Sequence, residues 1–159
     1  MKRFMSILAT LALMATALVS CDEQDAPVVP NLDDPNYFVG KSFSYKGYVG
    51  SEERVFEIKF EVGKFEARVR RVNTTKPGHY WYDDRYFGPY SYKDKKLTTK
   101  VQKVSAKYQV GDAPERTRED EYQPQDQPIL FIGQVDVGKG TISGEFWRQS
   151  IVLRIAQPK

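Results

Sequence analysis

The strongest pattern along the chain is a period of two. Phe56, Ile58, Phe60 and Val62 alternate with Val55, Glu57, Lys59 and Glu61, and Phe65, Ala67 and Val69 then alternate with Glu66, Arg68 and Arg70. Successive strand side chains point to opposite faces, so this alternation predicts a hairpin over Arg54–Arg71 with one face buried. Gly63-Lys64 between the runs suits a two-residue type II′ turn, with the glycine taking the positive φ. That turn predicts the apolar pairs Val62–Phe65, Phe60–Ala67 and Ile58–Val69. On the polar face it sets Glu57 against Arg70, but it also sets Glu61 against Glu66 and Lys59 against Arg68.

Further strands follow the same logic. Lys41–Val49 carries Phe43 and Tyr45 on one face and ends at the turn Gly50-Ser51-Glu52-Glu53. Tyr90 and Tyr92 lead into a polar turn, Lys93-Asp94-Lys95-Lys96, from which Leu97, Thr99 and Val101 return. The apolar positions then change parity to Val104, Ala106, Tyr108 and Val110, which predicts a bulge or tight turn at Gln102-Lys103. Residues 111–127 are rich in charge and contain two prolines, so they read as a long polar loop. Ile129–Val135, Thr141–Trp147 and Ile151–Ile155 return to strand texture, joined by Asp136–Gly140 and Arg148–Ser150. No segment sustains an apolar period of 3.6 residues. The expected fold is all-β: an antiparallel meander of about eight strands closing as a small barrel or sandwich. Phe43, Phe56, Ile58, Phe60, Phe65 and Val69 point inward and would fill a small eight-stranded barrel.

The first twenty residues have a different texture. Lys2 and Arg3 precede an apolar run from Phe4 to Val19, and the chain turns acidic at Cys21 with Asp22-Glu23-Gln24-Asp25. A positive start and a short apolar core describe a secretory signal, and the run falls short of the roughly 20 residues that span a bilayer. Leu18-Val19-Ser20-Cys21 resembles the lipobox of bacterial lipoproteins. That resemblance implies cleavage before Cys21, lipidation of its thiol and a membrane partner through that lipid. Multiple acyl chains anchor stably where one does not. Cys21 is the only cysteine, so its lipidation leaves the mature chain no thiol for a disulfide, a metal or a nucleophile.

Charge divides the remainder. Residues 22–35 hold five acids and no base, whereas the chain from 36 onward holds 22 Lys+Arg against 16 Asp+Glu. With Pro27, Pro30 and Pro35, residues 21–36 read as an acidic, proline-punctuated tether before a domain at 37–159. An acidic run after a lipidated cysteine resembles the surface-export signal of Bacteroidetes lipoproteins, which implies an outer-membrane location and display at the cell surface. An aspartate directly after the cysteine also resembles an inner-membrane retention signal of enterobacteria. Gly40-Lys41-Ser42-Phe43, and Gly88-Pro89-Tyr90-Ser91-Tyr92 followed by Leu97-Thr98, resemble strands of the lipocalin-like domains in small Bacteroidetes lipoproteins. Phe43 stands where lipocalins have the tryptophan of Gly-x-Trp. The resemblance spans about residues 39–156, implies a barrel and names no ligand.

Candidate chemistry is sparse. Gly133-x-x-x-x-Gly138-Lys139 approaches a phosphate-binding loop, but Gly140 stands where a magnesium-binding Ser or Thr is needed and strand texture flanks the motif, so no nucleotide is expected. His79 is the only histidine; Asp83 and Asp84 follow closely enough to orient its ring, but one histidine makes a poor triad or metal set. No catalytic residue, cofactor or metal site is expected, nor a nucleic-acid partner. Arg68, Arg70, Arg71, Lys93, Lys95, Lys96, Lys100 and Lys103 are candidates for a basic surface toward anionic lipid or an acidic partner, or simply solvate strand faces.

The densest feature is the stretch from His79 to Tyr92, in which seven of fourteen residues are aromatic. Aromatic rings among Asp, Arg and hydroxyls suit sugar stacking or a protein hot spot. The even spacing of Tyr82, Tyr86, Tyr90 and Tyr92 equally suits strand residues packed in the barrel and at its rim. Tyr80, Trp81, Arg85 and Tyr86 are the candidate ligand or partner contacts. The expected function is a non-enzymatic, lipid-anchored envelope lipoprotein acting as an accessory or interaction subunit toward an envelope protein or glycan. The alternative is a lipocalin-like binder of a small apolar ligand, glycan or haem, the last using His79 or a tyrosine as axial ligand.

Overall fold

The computed structural model describes residues 34–156 apart from Pro77 and Trp147. The signal segment, Cys21 and the tether as far as residue 33 lie outside the described residues, as does the Trp147 end of its expected strand. A 3-10 helix over Pro35–Phe38 leads into ten strands: β1 (Ser42–Val49), β2 (Glu52–Glu61), β3 (Lys64–Asn73), β4 (Tyr80–Lys93), β5 (Lys96–Lys100), β6 (Lys103–Val110), β7 (Arg116–Glu121), β8 (Ile129–Asp136), β9 (Thr141–Phe146) and β10 (Gln149–Ile155). The protein is all-β, as the period-two texture demands.

Eight strands close an antiparallel barrel in the order β1-β2-β3-β4-β5-β8-β9-β10. The seam pairs Phe43 with Ile155 and Ser44 with Arg154, and the Ala156 N–H donates to the Ser42 carbonyl at 2.8 Å. Closure removes the two open sheet edges that a flat meander would expose. The remaining strands, β6 and β7, form a ribbon inserted between β5 and β8. β6 pairs with the first half of β4 and β7 pairs with β6. Among the described residues β7 has no other strand partner.

The predicted Arg54–Arg71 hairpin is present, with its register moved by two residues. The loop is Val62-Gly63, the positive φ (69°) falls on Gly63 in second place, and the pairs are Phe60–Phe65, Ile58–Ala67 and Phe56–Val69. A two-residue slip leaves every side chain but that of Val62, now in the turn, on its predicted face, and otherwise only the partners change. The outer pairs become Glu61–Lys64, Lys59–Glu66 and Glu57–Arg68, all of opposite charge. Those pairs explain why this register prevails over one that sets like charges together. Val62, freed from pairing, is 74% exposed at the tip.

The six predicted inward residues Phe43, Phe56, Ile58, Phe60, Phe65 and Val69 are all buried. Phe38 joins them from the 3-10 helix and plugs one end, its ring packing edge-on against Tyr92 at 4.8 Å and tilted against Phe60 at 5.0 Å. The buried Thr99 hydroxyl donates to the Phe131 carbonyl and accepts from the Phe131 N–H, which satisfies all three groups where the β5–β8 register shifts. The parity change lies where the sequence placed it: β4 pairs with β5 and then with β6 one residue out of step, and the Gln102 N–H donates to the Phe87 carbonyl at 2.7 Å. Gly88 makes room for this bulge, since a Cβ there would strike the Lys100 carbonyl and lie 2.8 Å from the Gln102 nitrogen.

Glu52 and Glu53, expected in the turn after β1, open β2, so that turn is Gly50-Ser51 alone. Residues 111–127 are not loop throughout, because Arg116–Glu121 forms β7. Its sequence, Arg-Thr-Arg-Glu-Asp-Glu, has no apolar position to betray a strand. It pairs because β6 offers it an edge, and its charges protect the ribbon's outer edge.

Candidate functional site

β4 is long enough to serve two regions. Its second half, from Gly88 to Lys93, belongs to the barrel wall, whereas its first half carries the ribbon. Alternation along a single strand therefore divides the candidate contacts. Tyr80 and Tyr86 face inward with Tyr82 and Asp84, while Trp81 and Arg85 face outward with Asp83. The structure does not bring the four residues Tyr80, Trp81, Arg85 and Tyr86 into one site.

The outward set lies among charges. Arg68 grips Asp83 through two bonds of 2.8 and 2.5 Å, and the Trp81 indole donates to Gln109 at 3.0 Å. The Arg68 bonds hold the Asp83 carboxyl below the usual aspartate range against the opposing effect of burial. Arg85 is exposed, with Arg68 and Ser105 as its cross-strand neighbours. The proposed basic surface is dispersed. Arg71 faces inward, Lys93, Lys95 and Lys96 sit around the β4–β5 turn, and Lys103 approaches Glu119 and Glu121.

The inward set builds a cleft. Arg71, Tyr82, Asp84, Tyr86, Ala106, Tyr108 and Arg118 line a depression of about 450 Å³ on the inner face of β3, β4 and the ribbon. The pairings order them in rows across the four strands: Arg71–Tyr82–Tyr108–Arg116, then Val69–Asp84–Ala106–Arg118, then Ala67–Tyr86–Val104–Asp120. The middle row is short-sided at Asp84 and Ala106, so it forms the floor between two rows of tyrosine. Tyr82 stacks on Tyr108 with centroids 5.5 Å apart, and the Arg71 guanidinium lies 4.2 Å over the Tyr82 ring. Arg71 also reaches Asp84 at 3.2 Å.

Electrostatically this face is unlike the barrel below it. Burial pushes the Asp84 carboxyl up, outweighing the charges of Arg71 and Arg118. Burial, reinforced by the charge of Asp84, also pushes the Tyr86 hydroxyl far up, so it stays a neutral donor. At the barrel mouth Tyr80 and Arg54 both donate to Glu52. Burial there raises the Glu52 carboxyl, but those bonds and the charges of Arg54 and Arg71 bring it below the ordinary value.

His79 does not meet Asp83 or Asp84, which are held by arginines; its Nε2 lies 3.7 Å from the exposed Asp112. Among the described residues no group of three His, Cys, Asp or Glu side chains is placed to hold a metal. Gly133 lies in β8 while Gly138 and Lys139 lie in the β8–β9 turn, so the near-match to a phosphate loop is a hairpin. Reasoning from sequence missed Arg118, which sits in a segment without strand texture. It also missed Asp84 and Tyr108 as site residues, although their parity with Tyr82 and Tyr86 was readable.

The fold and site together define an eight-stranded antiparallel barrel with a packed interior and an external ribbon that walls a polar cleft. No protein-family model matches the chain, and no curated protein matches it.

Proposed function

We propose that this protein is a lipid-anchored, non-enzymatic recognition module of the cell envelope, acting as an interaction subunit through the inner face of β4 and its ribbon. One observation carries the reading. The barrel is packed with phenylalanine and aliphatic side chains, while the same inward face becomes a solvent-open Tyr, Arg and Asp cleft where the ribbon begins. Barrel closure does not require β6 and β7, since β5 pairs directly with β8. Their effect is to bring Tyr108 and Arg118 to the cleft.

The packed interior supports an external contact over an apolar calyx, and nothing in the environment of His79 favours haem. The lipobox-like Leu18-Val19-Ser20-Cys21 supports attachment through Cys21, with the outer membrane as the proposed site. Cys21→Ala is expected to release the chain from membranes and abolish incorporation of labelled palmitate. A photo-crosslinking residue at Tyr108 of the full-length protein in cells tests the recognition face. Adducts with an envelope component are expected there and not at Val152, an exposed residue of β10. Equal labelling at both positions, or none at Tyr108, would sink the reading.

A further inference from the structure

The cleft's chemistry narrows the ligand, and this step rests on the recognition reading above. Three tyrosines, two arginines and one carboxylate line it. Arg71 is committed to Asp84 and to the face of Tyr82. Arg118, on the opposite wall, holds Asp120 through Nε at 2.8 Å, and its side chain is 61% exposed. Its Nη groups have no hydrogen-bond partner among the described residues, so they present a planar two-donor fork of the kind that matches a carboxylate. Arg118 lines the cleft from the end of the row Asp84–Ala106–Arg118, two strands from the floor carboxylate.

We propose that the cleft binds a sugar acid, a glycan residue bearing a carboxylate. The carboxylate pairs with Arg118. Ring hydroxyls bond to the Asp84 carboxylate and to the Tyr82, Tyr86 and Tyr108 hydroxyls, and apolar C–H edges pack against the Tyr82–Tyr108 stack. A volume of about 450 Å³ lies within the range of roughly 300–1,000 Å³ typical of small-ligand sites. A neutral sugar would leave the Arg118 fork unmatched. An arginine fork also accepts a phosphate, so inorganic phosphate is the competing anion in the test.

Calorimetric titration of the full mature protein in detergent tests this, with a galacturonate trisaccharide, the matching galactose trisaccharide and inorganic phosphate as probes. The uronate is expected to bind at least tenfold more tightly than the galactose oligomer or phosphate. Arg118→Gln is expected to remove that preference while leaving the melting temperature unchanged, because Arg118 is an exposed edge residue. Trp81→Ala, on the opposite face of β4, is expected to leave the uronate preference unchanged. A uronate that binds no better than galactose, phosphate that binds as well as uronate, or an unaltered preference in the Arg118→Gln protein would each overturn the proposal. If uronate fails while Tyr108 still crosslinks to an envelope component, the ligand class falls and the recognition reading stands. If both fail, both fall.

Discussion

The two halves of β4 present the same kind of residue to the same face with opposite results. Tyr90 and Tyr92, in the second half, pack into the sealed end of the barrel with Phe38 and Phe60. Tyr82, in the first half, stands in an open cleft with Arg71, Asp84 and Arg118, and Tyr86 lines that cleft from where it packs against the core. Inward alternation alone does not distinguish them. What differs is the neighbour on the far edge of the strand. The second half pairs with β5, which continues into β8 and closes the barrel. The first half pairs with β6, and β6 leads only to the open edge of β7. A tyrosine is core where the sheet curls back over it and lines an open cleft where it does not.

The largest expected effect comes from unsealing the closed end. Phe38→Ala removes a fully buried ring that touches five other rings, and such truncations cost about 3–5 kcal/mol. Chemical denaturation should show a loss in that range. A loss below about 1 kcal/mol would mean that the 3-10 helix does not plug the barrel.

Gly88→Ala attacks the boundary between the halves. The added methyl meets main-chain atoms of the bulge and not the end of a flexible side chain, so overpacking should cost about 1–3 kcal/mol or more. Hydrogen exchange should quicken first in β6 and β7, with β8 to β10 little changed.

A pH titration compares the strand's two faces through neighbouring residues. Asp83 has a lowered folded pKa, so its contribution is present above the unfolded value of 3.8 and is lost as pH falls below it. Asp84 has a raised folded pKa, so it binds a proton more readily when folded. Its contribution grows as pH falls from neutral through that raised pKa toward 3.8 and declines as pH rises. Asp84→Asn should flatten the mild-acid part of the stability profile, and Asp83→Asn the part below pH 3.8. Identical profiles for the two variants would contradict the division of β4 into unlike faces.

The smallest effect tests register. Lys59→Glu places two glutamates opposite each other in the observed pairing and should cost up to about 1 kcal/mol. With the turn at Gly63-Lys64 the same change would oppose Arg68 and stabilise. The sign of the change in denaturation midpoint decides between them.

Much of the barrel is legible in the amino-acid pattern. Every residue predicted to point into it from β1, β2 and β3 does so, because a period of two maps directly onto faces. Register is less legible because a slip of two preserves those faces, yet a signal exists: only one register pairs Lys59 with Glu66 and Glu57 with Arg68. The candidate contacts are neighbours in sequence, whereas a strand sends adjacent residues to opposite faces, so Trp81 and Arg85 part from Tyr80 and Tyr86. β7 and its Arg118 have no local signal at all.

The sequence by itself determined the strand texture, the inward residues and the parity break at the bulge, since each follows from local alternation and backbone preference. Only the tertiary structure decided that β4 would be shared between a sealed barrel and an open ribbon, and that a charged, apolar-free segment would become its outer wall. Those outcomes depend on which edges meet across long separations. That choice is made by barrel closure and edge satisfaction over the whole sheet, and no short window of residues encodes it.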